Sequence, residues 1–251
     1  MNMGNSEIDR RRFGRRTCLI VLFAFGMIAI AFAAKWVLYK VQITNFARAC
    51  RTGDIAAISR ALASGLPVDT KVHFWDPYAY DEPLHFCARY FQADAAEYLI
   101  QQGADPNRPN WDGESPIMIA ISTDPTMAPP FVQRIIARGG DPNFRNPKTG
   151  ATALHDAALL GNTRAAEVLL SAGADPNMSD LKRFTPLHFN STSSTQFRLE
   201  FVKLLIDHGA DIDRANRNGD TPRSLIEQRL QEKGQARPPW FPPSPTLHGA
   251  R

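Results

Sequence analysis

Three of the six histidines, His85, His155 and His188, have a spacing that could suggest metal binding or catalysis. Imidazole is a common metal ligand and general base, so a shared site is the first hypothesis to consider. Each histidine, however, ends a similar tetrapeptide, with threonine or glutamate first and leucine third. The neighbours recur together with the histidine, so these residues belong to a repeated motif.

The three cysteines, Cys18, Cys50 and Cys87, do not suggest a metal site or a disulfide framework. No two of them have the spacing of metal ligands. Cys50 and Cys87 occupy positions of short helices where alanine would fit. We therefore predict that these two are small buried residues.

Charge is concentrated at one end of the chain. Its 251 residues, 43% of them hydrophobic, can bury a core in one or two domains. Residues 1–40 contain seven basic and two acidic residues, a net charge of +5. The remaining residues contain 22 basic and 23 acidic residues, a net charge of −1. A nucleic-acid partner for the globular part is not supported. No phosphate-binding glycine loop, zinc spacing or nucleophile elbow occurs, so we predict a non-enzymatic protein with no cofactor and no small-molecule substrate.

Two short motifs recur in step along the chain. The tetrapeptide occurs at residues 82–85, 115–118, 152–155, 185–188 and 221–224. Its second residues are 33, 37, 33 and 36 positions apart. A glycine-led turn occurs at residues 103–107, 139–143, 173–177 and 209–213, with a weaker copy at 65–69. Its repeated aspartates are predicted to be turn residues: Asp105, Asp141, Asp175 and Asp211.

This period and these motifs resemble the ankyrin repeat. The resemblance implies an all-α solenoid of about five helix-turn-helix repeats and a partial C-terminal cap, within residues 41–234. It also implies that the three histidines bond to backbone between repeats. Arg223 of the partial cap is expected to meet water. In repeat five, Asn190 and Ser191 replace paired alanines, so its first helix is expected to be the least secure.

An apolar segment precedes the repeats. Residues 18–34 are unbroken apolar, and residues 36–39 extend the run beyond Lys35 to about the 20 residues that span a bilayer. We predict a signal anchor at 18–40, with the basic residues 1–17 cytoplasmic and the repeats periplasmic, on a single-pass inner-membrane protein. The alternative is cleavage near Ala33, which would release a soluble periplasmic protein.

Departures from the repeat pattern indicate where a partner binds. The loop at 72–80 is longer than its equivalents and carries aromatic residues, which either fold onto the first repeat or anchor a partner. In the ankyrin family the loop that connects one repeat to the next projects beyond the helix stack and is called a finger. The resemblance places a concave strip on these fingers and on the exposed side of the first helix of each repeat. The predicted protein-binding residues are Trp75, Tyr78, Tyr80, Asp81, Arg89, Tyr90, Trp111, Asp112, Glu114, Ser122, Lys148, Leu159, Leu160, Lys182 and Phe184.

The proline-rich tail at 235–251 has two interpretations. It is either a disordered end, with Trp240 and Phe241 packed on the last repeat, or a docking peptide for an aromatic groove. The main functional hypothesis is a membrane-tethered module that binds a periplasmic protein, in a protective or immunity-like role by analogy. The alternatives are an enzyme or enzyme subunit with a site at loop 72–80 and His73, and a tail that links the module to another envelope component.

Overall fold

The computed structural model describes residues 4–73, 80–192 and 197–243, with side chains for 27–71, 81–192 and 197–243. In chain order the elements are α1 (Gly4–Thr52), α2 (Ile55–Ala63), β1 (Val72–His73), β2 (Tyr80–Asp81), α3 (Pro83–Arg89), α4 (Ala93–Gln101), α5 (Pro116–Thr123), α6 (Ala128–Ala137), α7 (Ala153–Leu160), α8 (Thr163–Ser171), α9 (Pro186–Thr192), α10 (Leu199–Asp207) and α11 (Pro222–Glu232).

In the described part of the chain, five helix pairs and a final single helix stack in sequence order. The pairs are the end of α1 with α2, α3 with α4, α5 with α6, α7 with α8, and α9 with α10, and α11 closes the stack. The predicted solenoid of five repeats and a partial cap is confirmed. One small addition to the all-α prediction is an antiparallel pair of two-residue strands, β1 and β2, at the base of the first finger.

A single hydrophobic core runs through the whole stack. The side chains of Phe46, Phe131 and Phe201 are almost fully buried, and apolar residues from neighbouring repeats join them in one cluster. A short helix pair cannot bury its apolar face alone, so each pair depends on contact with the next. This dependence explains why the motifs recur with so little change.

Helix α1 does not break where the predicted anchor ends. It continues from Gly4 to Thr52, and its C-terminal turns supply Phe46, Ala47 and Cys50 to the core of the first repeat. Its residues Met27–Thr52 are long and apolar enough to cross a membrane. The first repeat and the apolar segment therefore share one continuous helix.

The histidines have the structural role that the repeats predicted. His155 is fully buried; its Nδ1 accepts a hydrogen bond from the Thr152 backbone N–H at 3.0 Å, and its Nε2 bonds to the Phe184 carbonyl at 3.0 Å. His85 and His188 repeat this pattern. Each ring thus joins the start of its own helix to the finger of the next repeat. Burial lowers the pKa of His155 to about 4, which keeps the ring neutral.

The first helix of repeat five forms despite its polar pair. Asn190 is fully buried and its Nδ2 donates to the carbonyl oxygen of Ala158 in the preceding repeat at 3.2 Å. Ser191 donates to the Leu187 carbonyl of its own helix at 2.6 Å. Hydrogen bonds to backbone thus offset the cost of placing polar groups where alanine packs elsewhere.

The expectation that Arg223 meets water is wrong. Its side chain is buried beneath the tail and makes a bidentate ion pair with Asp213. The Arg223 Nε and Nη2 atoms lie 2.6 and 2.9 Å from the two carboxylate oxygens. It also donates to the carbonyl oxygen of Pro242 at 2.6 Å. Phe241 is buried, with its ring centre 5.8 Å from the Arg223 guanidinium. The described part of the tail packs on the last repeat, as the first of its two interpretations predicted.

Candidate protein-binding surface

In each finger from repeat three onward, an asparagine or aspartate side chain accepts hydrogen bonds from backbone N–H groups of the loop. These residues were not predicted from the sequence. In the finger of repeat three, Asn110 Oδ1 accepts the backbone N–H groups of Asp112 and Glu114, both at 2.9 Å. The equivalent residues of the next three fingers do the same: Asn146, Asp180 and Asn216. Their spacing in step with the repeat was the available signal.

Neighbouring fingers are also bonded to one another. Asn146 Nδ2 donates to the Asp112 carbonyl at 3.0 Å, and the Leu181 N–H donates to the Thr149 carbonyl at 2.9 Å. A third bond of this kind joins the backbone N–H of residue 217 to the carbonyl of residue 182, at 3.3 Å. These fingers therefore form a ladder along one edge of the stack, which holds the backbone of the described fingers from repeat three onward in place.

The centre of the strip is a cluster of Trp111, Lys148 and Asp112, hereafter the Trp111 cluster. The Trp111 side chain is 55% exposed, and the Lys148 ammonium lies 4.8 Å from the centre of its ring. The same ammonium is 3.9 Å from a carboxylate oxygen of Asp112. These residues come from two successive fingers. The cluster presents a large aromatic surface in a defined orientation, which is a feature of binding hot spots.

A second group of predicted residues lies at the N-terminal end of the strip. Arg89 pairs with Asp81 at 3.1 Å, and Tyr90 is exposed beside the Arg51 guanidinium, 5.9 Å from its ring centre. Trp75 and Tyr78 lie outside the described residues, as does the side chain of Tyr80. The prediction that loop 72–80 anchors a partner therefore stays a prediction.

The other predicted residues are distributed along the strip. Leu159 is 46% exposed at the end of α7, whereas Leu160 is partly buried against the core. Ser122 and Lys182 are exposed, and Ser122 bonds to its own helix. Glu114 accepts a hydrogen bond from Asn110 at 3.1 Å.

Phe184 contacts other side chains of its own repeat. It is partly buried, with its ring centre 5.4 Å from that of His188 and 6.1 Å from that of Phe189. Its backbone carbonyl also accepts the bond from His155. These contacts give Phe184 a packing role between repeats four and five.

The carboxyl group of Asp156 lies at a position where the other repeats have an apolar side chain. Asp156 on α7 occupies the position held by Phe86, Ile119 and Phe189 in the other repeats. Its side chain is partly buried, and no hydrogen bond to it is found among the residues that the structure describes. Burial, with a smaller contribution from Glu114, raises the pKa of Asp156 to about 7.

Because the pKa of Asp156 is raised, its ionisation at high pH is expected to lower the free energy of unfolding. The Asp156→Asn variant has no carboxyl group to ionise and avoids this loss. The unfolded chain releases the proton near pH 4 and the folded chain near pH 7, so stability from the protonated carboxyl is lost as pH rises through this interval. We expect Asp156→Asn to be more stable than wild type by about 2 kcal/mol at pH 8 and equally stable at pH 4. Urea unfolding at both pH values measures this.

The control for this prediction is Glu167→Gln, which removes an exposed carboxylate from the neighbouring helix α8. It is expected to change stability by less than about 0.5 kcal/mol at either pH. A constant difference between Asp156→Asn and wild type across the pH range would contradict the assigned burial of the carboxyl.

Fold and surface together define a class of protein. Stacked helix pairs with a ladder of fingers are the architecture of a solenoid that presents an extended binding surface. The family profile for three ankyrin repeats matches residues 127–216, and the single-repeat profile matches residues 81–111. The chain is therefore an ankyrin-repeat protein, and ankyrin repeats indicate a protein-interaction module.

Known proteins similar to this chain have varied functions. It is 29% identical over 157 residues to palmitoyltransferase AKR1 of Lachancea kluyveri. The aligned region covers 60% of this chain and 20% of that protein. It is 37% identical over 97 residues to protein PhlB of Serratia liquefaciens, covering 39% and 41%. It is 38% identical over 84 residues to protein phosphatase 1 regulatory subunit 27 of Mus musculus, covering 34% and 53%.

The similarity covers only part of each relative. The chain spans at most 53% of the length of these three proteins. One of them is an enzyme by name and another is a regulatory subunit, so similarity to ankyrin-repeat proteins does not carry an activity with it.

Proposed function

We propose that this chain is a membrane-tethered, non-enzymatic binding module, with its repeats on the side of the inner membrane opposite its arginine-rich N-terminus. The observation that carries the proposal is the continuity of α1. Its exposed apolar part, including Trp36 and Tyr39, leads without interruption into the buried Phe46 of the first repeat. A tether of this kind holds the strip close to the membrane.

The orientation follows from charge. Residues 10–16 contain five arginines, and basic residues beside an apolar helix are retained on the cytoplasmic side. The repeats would then lie in the periplasm of a bacterium. Cleavage near Ala33 remains the alternative, and it gives a soluble protein in the same compartment.

The binding surface in this proposal is the strip around the Trp111 cluster. The strip combines exposed aromatic and apolar side chains, Tyr90, Trp111 and Leu159, with charges of both signs. A protein surface matches this mixture better than a phosphate backbone does, since the strip has no excess of basic residues. Its rigid fingers lower the ordering cost of binding.

The proposal is tested by comparing partner recovery between variants. Full-length chain is purified with its envelope partners after mild cross-linking, and the recovered proteins are quantified for wild type, Trp111→Ala and Met127→Ala. Met127 is the control because it is 51% exposed but lies at the turn between α5 and α6, away from the fingers. We expect at least roughly tenfold lower recovery of a specific partner with Trp111→Ala and no change with Met127→Ala. Equal recovery by all three would exclude the strip as the binding surface.

Protease added to intact spheroplasts tests the orientation separately. The repeats are expected to be digested, with a fragment of α1 left in the membrane. Repeats that stay intact until the membrane is broken would show the opposite orientation, and a mature protein that lacks residues 1–33 would establish cleavage.

A further inference from the structure

Two cysteines are in contact at the junction between the first and second repeats. Cys50 lies near the end of α1 and Cys87 lies in α3, and both side chains are fully buried. The Cys87 Sγ is 3.6 Å from the carbonyl oxygen of Cys50. Burial and, after it, the neighbouring Cys50 side chain raise the pKa of the Cys87 thiol.

The repeat geometry explains why the Cys87 side chain reaches Cys50. Asn190 occupies the position in α9 that Cys87 occupies in α3, and its side chain bonds to the carbonyl of Ala158 in the preceding repeat. Ala158 is in turn the equivalent of Cys50. The side chain at this position therefore reaches back to the preceding repeat at two different junctions. Only the first junction has cysteine at both positions, because the chain has only one other cysteine, Cys18.

We propose that Cys50 and Cys87 are a disulfide-forming pair that covalently links helix α1 to the second repeat. The inference concerns a modification site, and its occurrence in the cell rests on the proposed function, which places the repeats in an oxidising compartment. Cysteine pairs in contact within secreted domains are oxidised there, whereas cytosolic pairs are kept reduced.

The reaction is a thiol–disulfide exchange with a disulfide oxidant, either a small molecule or a protein. One cysteine thiolate attacks the oxidant, whose S–S bond breaks, and forms a mixed disulfide. The second cysteine then displaces the oxidant's remaining sulfur and forms the Cys50–Cys87 bond. The oxidant gains two electrons and both protons and leaves as two thiols.

Burial decides when this exchange takes place. The raised pKa of Cys87 disfavours its thiolate in the folded domain, so exchange occurs during folding or while the first repeat is open. The first repeat contacts a neighbouring repeat on one side only, which makes its opening easier than that of an internal repeat. Once formed, the bond is enclosed in the core and protected from reductants.

The link would strengthen the point where the membrane helix joins the repeats. It closes a loop that contains α2 and the finger with β1 and β2, and such a constraint stabilises the folded state mainly by restricting the unfolded chain. A pull on α1 would then be carried by a covalent bond to α3 in addition to noncovalent packing.

The test uses full-length chain purified under reduction in detergent and then unfolded and refolded with a mixture of reduced and oxidised glutathione. Acid quenching, alkylation of free thiols after unfolding, and peptide mass spectrometry identify the linked cysteines. We expect a Cys50–Cys87 linked peptide in most molecules. The thermal midpoint should be about 5 °C or more above that of the reduced protein, with no such difference in Cys87→Ala.

Quantitative alkylation of both Cys50 and Cys87 after this treatment would overturn the inference, and so would linkage through Cys18 instead. The same alkylation on acid-quenched intact cells tests the proposed orientation. A pair that closes with glutathione but stays reduced in cells would count against periplasmic repeats while leaving the pair itself established.

Discussion

Replacing His155 by alanine is expected to lower the free energy of unfolding by about 3–4 kcal/mol. The ring is fully buried, and its two nitrogens bond to the Thr152 N–H and to the Phe184 carbonyl, at 3.0 Å each. The variant leaves both backbone groups without this partner and creates a cavity between repeats four and five. Urea unfolding followed by circular dichroism measures the loss.

The matched control is His208→Ala. His208 is exposed, and its Nδ1 contacts the carbonyl oxygen of Leu204 within its own helix. Its removal is expected to change the free energy of unfolding by less than about 0.5 kcal/mol. Similar effects of the two substitutions would show that the link between repeats through His155 contributes little.

Truncation after residue 235 is expected to lower the stability of the last repeat by about 2–3 kcal/mol. The truncated chain lacks Phe241, which is 4% exposed and lies near the guanidinium groups of Arg223 and Arg237, 5.8 and 4.9 Å from its ring centre. It also lacks the Pro242 carbonyl that accepts from Arg223. Urea unfolding and limited proteolysis within α11 measure the effect.

Truncation after residue 243 retains all of these contacts and is the control for the shorter chain. It is expected to unfold at a higher urea concentration than the chain that ends at residue 235. Phe241→Ala should reproduce most of the loss, because it removes the buried ring and keeps the length of the tail. If the chain ending at residue 235 is as stable as the one ending at 243, the tail does not act as a cap.

The predictability of the fold comes from the physical role of each motif. A residue such as Ser115 accepts the Met118 N–H at the start of a helix, and the following proline needs no donor there. Gly173, with φ of 89°, adopts a left-handed conformation that ends α8. Each of these requirements involves residues close together in the chain, so it can be recognised in the sequence. Because the same motifs recur, they indicate that similar units stack on one another.

The places of the candidate residues in the fold were predictable from the sequence, but their contacts were not. Counting from each tetrapeptide located Trp111, Asp112 and Lys148 on fingers, yet it could not show that the Lys148 ammonium packs on the Trp111 ring. That contact joins different repeats, so it depends on how far one repeat is rotated against the next. The finger-closing Asn110 was missed because its role is defined by the backbone groups that it accepts.

The sequence by itself determined the repeat architecture and the presence of an apolar helix, because each depends on residues close together in the chain. The resemblance of the repeated motif to the ankyrin repeat added the structural role of His155. Only the tertiary structure decided that Arg223 is buried, that α1 runs unbroken into the first repeat and that Cys50 meets Cys87. Those features depend on contacts between segments far apart in sequence. Where such segments meet is decided by packing of the whole stack, which no local pattern encodes.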